Sequence, residues 1–210
     1  MRRDVGIFFK IRVMKKTVLF LALFAIFAFY FEAAAQQKAL VLADFNSGEK
    51  PNNIGEDFGT WDGFPNDPTQ SCKLMFVADD ALGKSGGKSL QLDYDVDSPN
   101  PAYNGFWMKI NQAEVLDFDT LSFYVRGDSQ KGFTPKIKIE LKDKKRGKAT
   151  FFIENITDKW QKISLTLDTR SIDRKQKKPF EEFVIVFDDT NSRPKIGRLL
   201  IDQIEFSKSL

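Results

Sequence analysis

From Ala39 to Phe206 the sequence is a succession of short runs of β-branched and aromatic residues separated by Gly, Pro, Asn and Asp. This spacing belongs to all-β sandwiches and barrels, and no stretch carries the 3.6-residue apolar period of an amphipathic helix. The runs predict about ten strands, at residues 39–42, 73–78, 89–96, 106–110, 120–126, 135–141, 149–154, 161–167, 183–187 and 199–206. Several alternate cleanly: Leu90, Leu92, Tyr94 and Val96 against Gln91, Asp93, Asp95 and Asp97, and Leu121, Phe123 and Val125 against Ser122, Tyr124 and Arg126. A period of two means one buried and one wet face. Phe183-Val184-Ile185-Val186-Phe187 is apolar on both faces, which predicts a central strand covered on both sides. Residues 46–69, rich in Pro, Asn and Gly, read as a long loop. About ten antiparallel strands in two stacked sheets make a jelly-roll sandwich.

Ahead of this region, Val18 to Phe31 is an unbroken apolar run of 14 residues, preceded by Lys15 and Lys16 and followed by Ala33-Ala34-Ala35. The pattern is that of a secretory signal peptide. As a helix the run covers roughly 21 Å, short of a hydrocarbon core of about 30 Å, so no stable membrane span is expected after cleavage. Residues 1–35 are thus read as a leader and 36–210 as a single domain, secreted or periplasmic. The formal charge of +3 comes from the leader, which holds six Lys or Arg against Asp4 and Glu32. The remainder, with 26 basic and 27 acidic residues, is nearly neutral, and nucleic acid is excluded as a partner. Basic loop tips at 142–148 and 174–178 read as solvated hairpin ends.

The chain has no histidine and one cysteine, Cys72. That removes Ser-His-Asp and Cys-His catalysis, histidine-ligated metals and an intramolecular disulfide. Any metal site must use hard oxygen donors, which suit calcium. No closely alternating Glu-x-Asp-x-x-Glu of a sandwich glycosidase is present, so no catalytic residues are assigned. Arg126-Gly127-Asp128 spells an adhesion tripeptide but reads as a strand-to-turn boundary.

Six segments together carry a resemblance: Leu42-Ala43-Asp44-Phe45, Gly86 to Tyr94, Gly105 to Ile110, Asp119 to Asp128, Trp160 to Leu165, and Gly197 to Phe206 with its Ile201-Asp202-Gln203-Ile204. In this order the chain resembles the galactose-binding-like jelly rolls of non-catalytic carbohydrate-binding modules, nearest family eleven, and the related complex-I-intermediate-associated domain. The resemblance implies a polysaccharide or oligosaccharide ligand, and through the second relative it implies an envelope protein partner as the alternative. It also implies a structural calcium held by Asp44, the backbone carbonyls of Ser85 to Lys88, and Asp202, and places Trp160 in the core.

A sugar site needs flat aromatic faces for the apolar side of a pyranose, flanked by polar side chains for its hydroxyls. The candidates are Trp61 and Tyr103, both expected in loops, Trp107, and Tyr124 with Arg126 on the wet face of one strand. Lys138 and Glu140 are expected on the strand beside that pair, so that Tyr124, Arg126 and Glu140 would share the floor of one cleft.

Overall fold

The structure, a computed structural model, describes residues 39–111, 113, 118–143, 147–167 and 180–208. The expected leader lies outside the described residues, as do 144–146 and 174–178 of the basic tips. Eleven strands and no helix are found among the described residues: β1 (Ala39–Ala43), β2 (Phe58–Asp62), β3 (Ser71–Val77), β4 (Ser89–Asp95), β5 (Tyr103–Lys109), β6 (Thr120–Gly127), β7 (Ile137–Asp143), β8 (Lys148–Ile153), β9 (Gln161–Thr166), β10 (Phe180–Asp188) and β11 (Ile196–Ser207). They form two antiparallel sheets. The first has the order β3-β4-β11-β6-β9, with β1 on the second half of β11; the other has the order β2-β5-β10-β7-β8.

The strand absent from the sequence reading is β2, inside the expected loop. Its Gly59 weakens the local β signal, yet the strand pairs residue for residue with β5, Phe58 opposite Met108 and Trp61 opposite Gly105. On its other side β5 pairs with β10 back to Tyr103, opposite Asp188, so Trp61 and Tyr103 stand on strands and not in loops.

The inner faces are those the alternation predicts. Leu121, Phe123 and Val125 from one sheet meet Ile137, Ile139, Leu141, Phe183, Ile185 and Phe187 from the other, all buried. Aromatic pairs bridge the layers: Tyr94 stacks on Phe187 at 4.2 Å and 11°, and Phe123 meets Phe183 edge-on at 5.9 Å. Each fully buried side chain of this size contributes roughly 1.5–3 kcal/mol, and the core carries the fold with Cys72 a buried free thiol. Burial drives the Cys72 thiol pKa far upward, so it is inert as a nucleophile.

β10 lies at the centre of its sheet, as expected of a strand apolar on both faces. One side of the sandwich is closed by Asn104, fully buried on β5, whose Nδ2 donates to Ser71 O at 3.0 Å and Asp95 O at 2.7 Å on the opposite sheet. Replacing Asn104 by Ala strips both buried carbonyls of their donor, and a loss of about 2–4 kcal/mol in urea unfolding is expected. A loss below about 0.5 kcal/mol would show that the clamp does not hold the two sheets together.

Candidate functional site

The outward face of the β2-β5-β10-β7-β8 sheet is set by register. Reading across the strands, one row is Trp61, Gly105, Val186, Lys138 and Phe152, and the next is Gly59, Trp107, Val184, Glu140 and Thr150. Val184 and Val186 point outward yet are buried. They form the floor of a shallow groove, with the indoles of Trp61 and Trp107 on one side and the long side chains of Lys138 and Glu140 on the other.

The rings lie over glycines of the neighbouring strand. Three atoms of the Trp107 indole sit 3.2–3.3 Å from the position a Cβ on Gly59 would take, so the ring lies across that residue and any side chain there would displace it. Trp61 stands opposite Gly105, and its Nε1–H has no acceptor among the described residues, so packing alone fixes it. Its ring is 5.8 Å from Tyr103, which lies over Gly63 and in turn meets Phe64 edge-on at 5.6 Å. Lys50 and Lys109 approach the Trp107 ring at 5.9 and 6.0 Å, within cation–π range.

Across the floor the charges are paired in bridges. Glu140, only 6% exposed, takes Lys148 at 2.7 Å and Lys138 at 3.8 Å, and Lys138 also faces Asp188 at 3.9 Å. Glu182 binds Lys109 at 2.8 Å and Lys142 at 3.1 Å. Burial works against the Glu182 carboxylate, but the two ammoniums outweigh it and hold its pKa below the ordinary range. Lys109, Glu140, Lys142, Lys148 and Glu182 line a half-open pocket of about 310 Å³ on this face. Fixed ammonium and carboxylate groups of this kind donate to and accept from hydroxyls without a large net charge.

The expected candidates divide between two faces. Trp61, Tyr103, Trp107 and Glu140 share the groove. Tyr124 and Arg126 are on the outward face of the other sheet, because β6 pairs with β11 and β9 and never with β7. The cleft floor expected from Tyr124, Arg126 and Glu140 together is therefore not formed. Arg126 pairs with Asp79, whose other oxygen accepts from Trp160 Nε1 at 3.2 Å, and the guanidinium lies 5.5 Å from the Trp160 ring. Trp160 is thus half-buried on this outer face and not in the core. The Arg-Gly-Asp triplet is not displayed: Arg126 is held by Asp79, Gly127 is buried, and Asp128 accepts from Arg198 at 3.3 Å. Phe64 and Lys138 belong to the groove without having been singled out as ligand residues. Phe64 lies in a Pro-rich turn with no strand periodicity, and only its contact with Tyr103 places it.

Asp44 and Asp202 do approach each other. Asp202, 2% exposed at a register shift of β11, accepts from Ala81 N at 2.9 Å and Gln203 N at 2.7 Å. Burial pushes its pKa up to about 6, and the charges of Asp80 and Asp44 add to the shift. Asp80 is the member the sequence reading missed, although it stands just ahead of the glycine-rich turn. Lys88 joins through its backbone N–H, which donates to Asn46 Oδ1 at 3.1 Å. The carboxylates and the Asn46 amide are the hard donors calcium takes, but among the described residues no three His, Cys, Asp or Glu side chains converge at metal-binding distance.

No family model matches the sequence, and no curated protein matches it either. Among solved structures, the family 11 carbohydrate-binding module from Clostridium thermocellum, in complex with a β-1,3-1,4-mixed-linked tetrasaccharide, superposes with a TM-score of 0.56 at 15% identity, over 82% of this chain and 96% of that one. An exo-β-agarase gives 0.57 at 11% identity, over 81% of this chain and 25% of the enzyme. A family 29 module from Piromyces equi gives 0.50 at 13% identity, covering 83% and 93%. The fold is a two-sheet jelly-roll sandwich like that of these carbohydrate-binding modules, and likeness at these identities carries the fold alone.

With no histidine in the chain, few groups titrate between pH 5 and 7. The folded pKa of Asp202 lies above its ordinary value, so the folded state takes the proton first and stability rises as pH falls through about 6. In chelator, the melting temperature is expected to increase from pH 7 to pH 5, and Asp202→Asn to flatten the profile. A wild-type melting temperature that falls steadily over that interval would contradict this.

Proposed function

We propose that the chain is a secreted, non-catalytic glycan-binding module that holds a β-linked polysaccharide in the groove over β2, β5, β10 and β7. The observation that carries this reading is the pair of indoles, Trp61 and Trp107, on one face, each against a glycine of the neighbouring strand and opposite the paired Lys138, Glu140 and Asp188. Indole faces match the apolar side of a pyranose, and the charged wall meets its hydroxyls. The fold shared with the tetrasaccharide-bound module supports the ligand class, and the leader supports secretion.

The charges support a binding role without hydrolysis. A glycosidase needs one carboxyl kept protonated near neutral pH, whereas Glu140 and Glu182 each bridge two ammoniums, and Glu182 is held ionised. A calcium ion at Asp44, Asp80, Asn46 and Asp202 would relieve their mutual repulsion and fasten the first and last strands, a purely structural contribution. Addition of calcium over chelator is then expected to raise the melting temperature by several degrees, an increment that Asp202→Asn abolishes.

A protein partner for the opposite sheet is the second reading. It is favoured by Met75, 56% exposed, on the same outer face as Tyr124, Arg126 and Trp160, residue types that interfaces enrich. Affinity electrophoresis on mixed-linked β-glucan separates the two. Trp61→Ala and Trp107→Ala are each expected to weaken retention about tenfold or more, while Tyr124→Ala leaves it unchanged. No retention of the wild-type protein on a panel of neutral and acidic polysaccharides would overturn the glycan reading.

A further inference from the structure

Two directions are open to a chain molecule in this groove. Across the strands, the row from Trp61 to Phe152 spans four strand spacings, about 19 Å, with Phe152 53% exposed at the far edge. Between those rings stand the nearly buried Val186 and the ion-paired Lys138, with no aromatic surface. Along the strands the picture is different. Trp107, Gly105 and Tyr103 are alternate residues of β5 on one face, with Trp61 opposite Gly105. Trp107 and Tyr103 are therefore about 13 Å apart along the strand, with Trp61 between them. Tyr103 and Phe64, 41% and 45% exposed, continue the surface at 5.6 Å.

The outer end of this strip is held in place. Gly63 leaves room for the Tyr103 ring, since a Cβ there would lie 2.6 Å from its atoms. The turn bearing Phe64 is pinned by Asp67, whose carboxylate accepts from Thr69 N and Oγ1, Gln70 Nε2, Ser98 Oγ and Asn100 Nδ2. Those hydrogen bonds hold its pKa well below the ordinary carboxylate range. Gln70 in turn accepts from Tyr103 N at 3.2 Å. One carboxylate thus ties the Phe64 turn to the loop before β5 and to the Tyr103 backbone. Two large exposed rings packed edge to face at 74°, on backbone segments held by one polar hub, are pre-organised for contact and are otherwise a liability.

We infer that Phe64 and Tyr103 form an outer subsite of the groove, that the glycan runs parallel to β5 along Trp107, Trp61, Tyr103 and Phe64, and that Asp67 is the positioning residue for this end. The inference rests on the glycan reading above and adds a direction and a terminus to it.

The test is calorimetric titration of the whole chain with β-1,3-1,4-linked gluco-oligosaccharides from disaccharide to hexasaccharide. Wild-type affinity is expected to climb with length. Phe64→Ala should leave the shortest ligands within about twofold and weaken the hexasaccharide by about threefold to tenfold, the scale of one aromatic contact. Asp67→Ala, with every ring retained, should give the same length-dependent loss at an unchanged disaccharide affinity, which general destabilisation would not. Phe152→Ala should change nothing. Loss on Phe152→Ala with Phe64→Ala neutral would overturn the direction, and loss on Trp107→Ala with both Phe variants neutral would overturn the subsite while sparing the glycan reading. Failure of the wild type to bind any length, together with no retention on the polysaccharide panel, would sink both.

Discussion

The structure turns on a strand that is apolar on both faces. Phe183, Ile185 and Phe187 of β10 fill the sandwich core, which leaves Val184 and Val186 facing out of a sheet that no helix covers among the described residues. Apolar groups in that position must be shielded from water. The shield is made of side chains: indoles from β2 and β5 on one side, lysine and glutamate stems from β7 on the other. A stability requirement and the proposed binding surface are therefore one arrangement. The half-buried rings that dry the floor are also part of the outer surface, and the heads of the stems carry the polar groups.

Glycine placement makes the arrangement feasible. On β2 and β5, an indole on one strand stands opposite a glycine on the other, Trp107 with Gly59 and Trp61 with Gly105. Glycine inside a strand normally weakens it. Here the stacked indole replaces the missing side-chain contacts, which explains how β2 forms despite a poor local signal. The charged wall follows similar logic. Isolated lysines or glutamates at such depth would be costly, and each buried carboxylate is instead shared between two ammoniums. The result is a face that is polar without strong net charge.

The opposite sheet uses its polar side chains differently. Arg126, Asp79 and Trp160 satisfy one another, and Arg198 grips Asp93 through two nitrogens and Asp128 through a third. These are ties between strands and the loops beside them. In the middle of β11, Asp202 has no ammonium within ion-pair reach among the described residues, and burial, with two further aspartates, raises its pKa. One sheet has paired its charges; the other retains an unrelieved acidic cluster.

Short β-branched and aromatic runs located ten of the eleven strands and the central place of 183–187, and period-two alternation, a local property, marked the inward faces. It rests on side chains i and i+2 sharing a face, whatever the strand's neighbours. Residue types alone likewise excluded histidine chemistry and disulfides. Strand order was not legible, because the inner faces of β6 and β7 are equally apolar and either could pair with the other. Long-range pairing put Tyr124 and Glu140 on opposite sides of the molecule, moved Trp160 from core to surface, and brought Trp61, Tyr103, Trp107 and Phe64 from separate segments onto one edge. Sequence by itself determined what each strand buries. Tertiary structure decided which outward residues meet, since that depends on contacts between segments tens of residues apart that no local pattern encodes.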